Sequence, residues 1–473
     1  MQGPLNAGYR ARLAMLLAAL AVIASLFACG VLPTPRPAGP SPQPPATLSL
    51  AATPVAGATA TPAPTSVIIG STPTPTVTAS AAGDGSLQQP AAPDPGPAPA
   101  FQDLGDAVVS YLAASGGDTA ALVAALEQWG MVPGQLQALG ALATNAAVLS
   151  ADLDGDGQPE VVISATNSGS DVIFGEGVLL VVTQKGGQYA VAYGSGVAGE
   201  TPGPVAILAL ADVNNDGVSD LAFGVESCGA HTCMVDVRVL SYQNNAYVNL
   251  AEGIVIPYPD MIAIQDSSIQ GFKDIVIHGN TIGSVGAGPQ RASTLTYGLE
   301  GNRYRLMAVR YDPSDLLYFR IVDAGVALAD GNTDEAIQLY TQAVNDQTLV
   351  ASGAMMNGMT EGKETEVLRS FARFRLMVAQ AVRGDQPAAQ AAVQEAAAAG
   401  GPFAPLVQTF WHTYAEAKAV DPACQAVAAY VQNAPDLLDT LNSFGYANPS
   451  FAAEDVCQGM GVGLLLPSVM RNP

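Results

Sequence analysis

The feature that most constrains this chain is a nine-residue acidic loop that occurs twice, 60 residues apart. In the first copy, aspartates alternate with other residues from Asp152 onward, and a glycine and Glu160 precede the apolar run Val161–Ile163. The second copy runs from Asp212 to Asp220 in the same pattern. So many carboxylates in one short segment repel one another unless a hard cation lies between them, and ligands that are all oxygen favour calcium. The sequence therefore predicts two Ca²⁺ loops, each followed by a β-strand.

A weaker third copy, from Asp266 to Asp274, keeps the first and last acids and the glycine but lacks the middle carboxylates. The three copies begin 60 and 54 residues apart, and each has an apolar run before it and a strand and a hairpin turn after it. Repetition at this period indicates stacked supersecondary units. We therefore predict a β-repeat domain of about three units over residues 145–310.

The position of the closing acid distinguishes these loops from the EF-hand. An EF-hand has its bidentate acid at position 12 and helices on both sides, whereas here the acid is at position 9 and β-formers follow. The pattern resembles the FG-GAP or VCBS repeat, which builds β-propeller blades with calcium in the loops between strands. The resemblance implies side-chain ligands and one main-chain carbonyl in each loop. In the first loop these are Asp152, Asp154, Asp156 and Glu160 with the carbonyl of Gln158, and in the second they are Asp212, Asn214, Asp216 and Asp220 with the carbonyl of Val218.

The number of units bears on whether such a domain closes. A closed propeller usually needs four or more blades, and the sequence shows three units. Either a further blade has lost its loop, or the strands form an open array that flanking helices seal. Residues 101–144 supply helices on one side: Asp103–Ala114 has helical spacing, Asp118 is a candidate N-cap for a second helix, and Pro133 is expected to open a short helical turn.

After the β pattern, residues 311–473 show alanine-rich helical periodicity, so the expected fold is α+β and multidomain. Small and large residues recur 53 residues apart, as in Ala336 with Tyr340 and Ala389 with Val393. This spacing is similar to that of degenerate tetratricopeptide repeats. The resemblance implies a concave face that binds peptides or proteins. A helical packing domain without a ligand is the alternative.

The N-terminus predicts export. Arg10 and Arg12 precede the apolar run Leu13–Leu32, and residues 1–29 are typical of a signal peptide. The quartet Leu26–Cys29 resembles the lipobox of bacterial lipoproteins, which are cut before the cysteine and carry diacylglycerol on it. An uncleaved signal anchor and a soluble secreted protein are the alternatives. All three predict an extracytoplasmic location, and the first two also predict attachment to the cell membrane.

The next segment and the other cysteines agree with that location. Residues 31–100 hold 17 of the 34 prolines, so residues 30–100 are predicted to be a disordered tether that cannot bury a core. Setting Cys29 aside, the cysteines form two local groups, Cys228 with Cys233 and Cys424 with Cys457. In an oxidising compartment this grouping predicts two disulfides.

Charge and motifs limit the function. The net charge of −23 argues against nucleic acid as a partner, because phosphates require basic patches. The sequence has no H-E-x-x-H, G-x-S-x-G or P-loop pattern, and its only histidines are His231, His278 and His412. His278 is expected to be hydrogen-bonded and His412 to be packed. The leading interpretation is a non-catalytic surface scaffold for a protein or glycan partner, and the alternative is an extracytoplasmic hydrolase with an accessory β-repeat module.

Overall fold

The computed structural model describes residues 92–136, 138–139, 146–169, 175–195, 203–229, 231–352 and 358–458. The predicted signal peptide, Cys29 and the tether up to residue 91 lie outside the described residues. All described residues belong to one compact unit, Leu87–Pro473. No described helix is long and apolar enough to cross a lipid bilayer.

The folded part begins earlier than the predicted residue 101. The hydroxyl of Tyr111 donates to the carbonyl of Pro93 at 3.4 Å, and the indole Nε1 of Trp129 donates to the carbonyl of Pro95 at 3.2 Å. The polar groups of two buried aromatic side chains thus have hydrogen-bond acceptors in the segment that precedes the helices.

Two helices lie where the sequence predicts them: α1 (Leu104–Ser115) and α2 (Thr119–Gln128). Asp118 caps α2 by accepting the backbone N–H groups of Ala120 and Ala121, both at 3.0 Å. Met131–Pro133 forms strand β1. The helical turn predicted from Pro133 onward falls partly on residues outside the described ones, and within the described ones the N–H of Leu139 donates to the carbonyl of Leu136 at 3.2 Å.

Strand β1 pairs with the end of β3 (Glu160–Asn167), at Ala165 to Asn167. Strand β2 (Val148–Ala151) pairs with the same edge of β3, but only with its first four residues. The backbone groups at the other end of β3 need partners of their own, and β1 supplies them.

The strands form three antiparallel sheets, each built on a meander of four consecutive strands. The first sheet contains β1, β2, β3, β4 (Glu176–Lys185) and β5 (Gln188–Ser195). The second contains β6 (Val205–Ala211), β7 (Asp220–Cys228), β8 (Cys233–Gln243), β9 (Ala246–Asn249) and β10 (Val255–Pro257). The third contains β11 (Met261–Asp266), β12 (Lys273–Gly279), β13 (Ser293–Glu300) and β14 (Arg303–Tyr311). To these meanders β1 is added beside β3 in the first sheet and β10 beside β8 in the second. In each sheet an acidic loop or its weaker copy joins one pair of neighbouring strands (β2–β3, β6–β7 and β11–β12), and a tight hairpin joins another (β4–β5, β8–β9 and β13–β14).

The sheets stack in series, and alternate side chains of a strand enter different cores. On β3, Val162 packs between the first and second sheets, whereas Ile163 packs against α1 and α2. On β7, Phe223 faces the first sheet and Ala222 contributes to the core shared with the third sheet. Because both faces of these strands are covered, they are nearly continuous apolar runs in the sequence.

The third sheet ends the stack. Leu295 on β13 is fully buried toward the second sheet, whereas its neighbours Thr294 and Thr296 are half-buried. On β14, Arg305 and Arg310 are exposed. Within the described part of the chain, no core cluster joins the first sheet to the third.

The helical region follows with a core of its own. Its helices are α3 (Leu317–Ala329), α4 (Thr333–Asn345), α5 (Glu361–Val382), α6 (Gln386–Ala399), α7 (Ala404–Ala417), α8 (Val420–Gln432) and α9 (Pro435–Leu441). Gly331 and Gly384, both at φ +80°, make the turns after α3 and α5. The predicted small residues Ala336 and Ala389 are fully buried. The coarse fold class, antiparallel sheets followed by helices in an α+β chain, is therefore confirmed.

The C-terminal segment is fastened to this helical core. The buried guanidinium of Arg375 donates through Nη1 to the carbonyl of Val456 at 3.1 Å, and its Nε donates to the hydroxyl of Tyr340 at 3.0 Å. The ring of Phe451 lies edge-on to that of Phe371, with centroids 6.0 Å apart. A disulfide also links Cys457 to Cys424 on α8.

His278 on β12 lies between two carboxylates. Its Nδ1 is 2.6 Å from Asp260 Oδ1, and its Nε2 is 3.1 Å from Asp312 Oδ2. The hydrogen bond with Asp260 raises the pKa of the imidazole above its ordinary value, and the hydrogen bond with Asp312 acts in the same direction, although burial opposes both. The pair of bonds ties the start of β11 and the end of β14 to the strand between them.

We predict that this contribution to stability depends on pH. Since the folded state raises the pKa of His278, the stabilisation is fully present below the unfolded value of 6.5 and is lost as pH rises through the folded-state pKa. Its size should be below about 1 kcal/mol, because the side chain is partly exposed to solvent. Urea unfolding of the wild type and of His278→Gln should give midpoints that differ most at low pH and converge at alkaline pH.

The matched control is His412→Gln, because the side chain of His412 is 81% exposed and 3.9 Å from its nearest carboxylate. A difference between wild type and His278→Gln that stays constant from acid to alkaline pH would contradict the prediction.

Candidate metal centre

The first acidic loop is held by its own carboxylates. Asp152 Oδ2 accepts the N–H of Gly157 at 3.0 Å, Asp154 Oδ1 accepts that of Asp156 at 3.1 Å, and Asp156 Oδ1 accepts that of Gln158 at 2.8 Å. Gly157 has φ +85°, a conformation that residues with a Cβ rarely adopt. The loop therefore directs a series of carboxylates toward its interior.

The second loop repeats these three hydrogen bonds, although Asp212 Oδ1 accepts the N–H of Asp216 at 3.2 Å where Asp152 Oδ1 accepts that of Gly155 at 2.8 Å. Asp212 Oδ2 accepts the N–H of Gly217 at 3.0 Å, Asn214 Oδ1 accepts that of Asp216 at 3.0 Å, and Asp216 Oδ1 accepts that of Val218 at 2.9 Å. Gly217 also has φ +85°. Two segments 60 residues apart thus adopt one conformation, as their shared spacing predicts.

The closing acids are the buried part of each loop. Glu160 and Asp220 are each 1% exposed. Glu160 Oε2 accepts the N–H of Leu153 at 2.8 Å, and Asp220 Oδ2 accepts that of Val213 at 2.8 Å. Burial raises the pKa of the Glu160 carboxyl and raises the pKa of Asp220 to about 6, although these hydrogen bonds act in the opposite direction. A cation nearby would stabilise the charged forms.

The oxygens of the first loop converge only in part. One carboxylate oxygen from each of Asp152, Asp154 and Asp156 lies within 4.8 Å of the others, whereas Glu160 is outside this group. Gln158, the residue predicted to supply a main-chain carbonyl, lies at the exposed end of the first loop. At the equivalent residue of the second loop, Val218, the backbone N–H donates to Asp216 in an exposed hydrogen bond. Three convergent oxygens fit a hard cation such as calcium, with water able to complete the coordination.

Residues outside the loops complete the frames. The hydroxyl of Thr183 donates to Glu160 Oε1 at 3.1 Å, and Ser241 hydrogen-bonds with Asp220. Lys185 Nζ is 3.1 Å from Asp154 Oδ2. The sequence prediction did not include these residues, although Thr183 and Ser241 both lie two residues before the last strand residue ahead of a hairpin turn.

The lysine balances an extra acid. The first loop has Asp154 where the second has the neutral Asn214, and Lys185 stands where the second sheet has Gln243. Four carboxylates with one ammonium, and three carboxylates alone, both leave three formal negative charges. In the described part of the chain, no lysine or arginine pairs with the carboxylates of the second loop.

The loops lie side by side. A Cβ added to Gly155 would meet Val218 at 3.1 Å, and one added to Gly271 would meet the side chain of Asn215 at 2.6 Å. In the third loop, Lys273 Nζ binds Asp266 at 2.7 Å. In this loop an ammonium group, and not a cation, is the partner of the first acid. The middle acids are missing, and the described residues of the third loop form no cluster of carboxylate oxygens comparable to that of the first.

The other candidate residues are structural. Cys228 and Cys233 form a disulfide across β7 and β8, so their sulfurs are not thiolate ligands beside the buried Glu226. Glu226 instead accepts the N–H of Ala138 at 2.8 Å. The three histidines lie in different parts of the fold: His231 lies between β7 and β8, His278 on β12 and His412 on α7. The prediction that His412 is packed is wrong, because its side chain is exposed.

We predict that Asp220→Asn stabilises the cation-free protein at neutral pH by about 1–3 kcal/mol, because it removes a buried charge and keeps an acceptor for Val213. The raised pKa means that the charged carboxylate is disfavoured in the fold. The gain should therefore appear between pH 3.8 and about 6 and be absent below that range. Chemical denaturation in EDTA at several pH values measures it.

Asp216→Asn is the matched control, because Asp216 is an exposed acid of the same loop. We expect its effect in EDTA to be within about 0.5 kcal/mol of zero. Equal effects of the two substitutions would show that burial of Asp220 is not the cause.

Comparison with known proteins assigns no family. No protein-family model matches the chain, and no curated protein matches it. The likeness of the two loops to FG-GAP or VCBS repeats therefore depends on the residues between Asp152 and Glu160 and between Asp212 and Asp220, together with the frame that they share.

Proposed function

We propose that this chain is a lipid-anchored extracytoplasmic protein whose FG-GAP/VCBS-like sheets are fastened by calcium ions. The sheets serve as a surface binding and assembly scaffold for a protein or glycan partner, without catalysis. The observation that carries the proposal is the set of three hydrogen bonds that the two acidic loops share. A common ligand explains why two distant segments adopt the same costly arrangement of acidic side chains.

In this proposal, Asp152, Asp154 and Asp156 hold one ion, and Asp212, Asn214 and Asp216 hold the other. Glu160 and Asp220 support the loops from the buried side, where each carboxylate accepts a backbone N–H of its own loop. A bound calcium ion supplies positive charge that offsets the repulsion between these side chains. It thereby fixes the β2–β3 turn of the first sheet and the β6–β7 turn of the second.

The stacking of the sheets supports an open propeller-like array. Helices α1 and α2 cover the outer face of the first sheet, and the third sheet carries half-buried threonines and exposed arginines beside its inward apolar residues, as in the terminal repeats of other stacked proteins. Such an array needs no fourth blade to protect its apolar faces.

The partner-binding surface is better placed on the sheets than on the helices. The likeness to tetratricopeptide repeats suggests a peptide groove, yet the chain's own segment from Phe451 to Cys457 covers Phe371 and Arg375 on α5. We therefore assign the helical region a packing role. Hydrolysis of any member of a polysaccharide or peptide panel would overturn the non-catalytic part of the proposal.

Calcium should raise the melting temperature of the full-length protein relative to EDTA. Each site contributes about 2.7 kcal/mol when the ion is present at about 100 times its dissociation constant. Asp156→Asn and Asp216→Asn should each remove about half of the calcium-dependent shift. Differential scanning calorimetry in EDTA and in millimolar calcium measures the effect.

Asp266→Asn in the third loop is the control and should leave the calcium-dependent shift unchanged. Equal melting temperatures in EDTA and in calcium would remove the basis of the proposal.

The anchor is tested separately. Cys29→Ser should abolish labelling of the protein with radioactive palmitate, because the cysteine thiol is where the lipid is attached. Metabolic labelling followed by immunoprecipitation measures the incorporation. Wild-type protein that takes up no label would point to the uncleaved signal anchor or the soluble secreted form instead.

A further inference from the structure

A cleft of about 450 Å³ lies between the first and second sheets, beside the first acidic loop. Its walls come from the β4–β5 hairpin of one sheet and the β8–β9 hairpin of the next. The volume is within the range of small-molecule binding sites in proteins. Nothing in the predicted calcium function uses this space.

The lining of the cleft is aromatic and polar. Tyr193, Tyr242 and Tyr247 contribute three rings, and the aliphatic side chains are limited to two alanines. A lining without leucine, isoleucine, valine or methionine offers little to an acyl chain or another wholly apolar ligand. Tyrosine instead combines an apolar ring with a hydroxyl that hydrogen-bonds.

The charges of the lining cancel. Lys185 and Asp154 are its only charged residues, and they form an ion pair with each other at 3.1 Å. The cleft therefore has no net charge with which to attract a phosphate or another polyanion. Asn245 and Thr183 add neutral hydrogen-bonding groups. Rings together with neutral donors and acceptors suit a polyhydroxylated ligand that has apolar C–H faces.

The rings are held in place before any ligand arrives. The centroids of Tyr242 and Tyr247 are 5.1 Å apart at an interplanar angle of 63°, and those of Tyr193 and Tyr247 are 6.3 Å apart at 69°. Tyr193 also lies edge-on to Phe223 at 6.2 Å and hydrogen-bonds with Arg238. Rings fixed in this way lose little conformational entropy on binding.

The second sheet boundary supplies an internal comparison. Lys185, Gln243 and Glu300 are equivalent, since each is the last strand residue before its hairpin turn. Between the second and third sheets, Gln243 and Asn302 join the two hairpins through paired amide hydrogen bonds, one of them 2.9 Å long. At the first boundary the equivalent residues, Lys185 and Asn245, line an open cleft instead.

The turn that carries Asn245 is also distinctive. Asn244 and Asn245 adopt φ values of +52° and +65°, where the first sheet has Gly186 and Gly187. Asparagine is tolerated in this conformation, and unlike glycine it brings an amide side chain to the cleft.

We propose that this cleft binds a neutral saccharide, with Tyr242 and Tyr247 against the sugar and Lys185, Asn245 and Thr183 hydrogen-bonded to its hydroxyls. The proposal deepens the scaffold function and rests on it for the role of the bound sugar. Asp154 belongs both to the cleft and to the first acidic loop, so occupancy of the two is expected to be coupled.

The test uses the full-length protein, purified in detergent, on a printed array of neutral and acidic oligosaccharides. Isothermal titration then measures the affinity for the saccharide that is bound best. Tyr242→Ala should weaken binding about tenfold or more. Lys185→Gln should have a similar effect, because it recreates at the first boundary the glutamine–asparagine bridge of the second.

Tyr446→Ala is the matched control, because Tyr446 is a tyrosine that is 54% exposed outside the cleft, and it should bind as the wild type does. Thermal melting of each variant verifies that it is folded. The proposal is overturned if no neutral saccharide on the array is bound, or if Tyr242→Ala and Lys185→Gln both bind with wild-type affinity.

The same preparations separate this proposal from the calcium proposal. Saccharide binding by a protein whose melting temperature does not respond to calcium would support the cleft and overturn the cation sites. A calcium response without saccharide binding would do the reverse.

Discussion

The β domain depends on one buried interaction that occurs in two of its sheets, the hydrogen bond from a loop N–H to the closing acid. Glu160 and Asp220 are the first residues of their strands, and each holds the second residue of its own loop, Leu153 or Val213. Leu153 and Val213 are themselves buried in the cores on either side of the second sheet. A single carboxylate therefore links the conformation of the exposed acids to the packing between sheets, so the loops and the stack stabilise each other.

Much of this architecture could be read from the sequence because its signals are local. Alternating acids, a glycine and a following apolar run identify each loop and strand, and small residues such as Ala336 and Ala389 identify buried helix positions. What the sequence did not reveal depends on contacts between distant segments. Lys185 comes close to Asp154 through the pairing of β4 with β3. Strand β1 pairs with the end of β3 that β2 leaves unpaired. The prediction that His412 is packed also failed, because a place in a helix does not by itself show whether another part of the protein buries that side chain.

The two sheet boundaries show how a repeat can diverge without losing its fold. Apolar strand residues are preserved in kind at both boundaries, because they fill a shared core. The hairpin residues carry no such constraint. One boundary uses its hairpins to bridge neighbouring sheets, and the other leaves a tyrosine-lined space. Variation at exposed turns on a fixed core is the usual way in which stacked units gain individual surfaces.

The attachment of the last described residues has a consequence for how the chain matures. Each sheet is built from neighbouring strands, so it can form as soon as its own segment has emerged. The helical core differs, because Nη1 of Arg375 lacks its carbonyl acceptor until Val456 is available, and Cys424 lacks its partner until Cys457 is. Maturation is therefore ordered along the polypeptide: the sheets can assemble first, and the helices become locked only after the segment around Val456 and Cys457 has emerged.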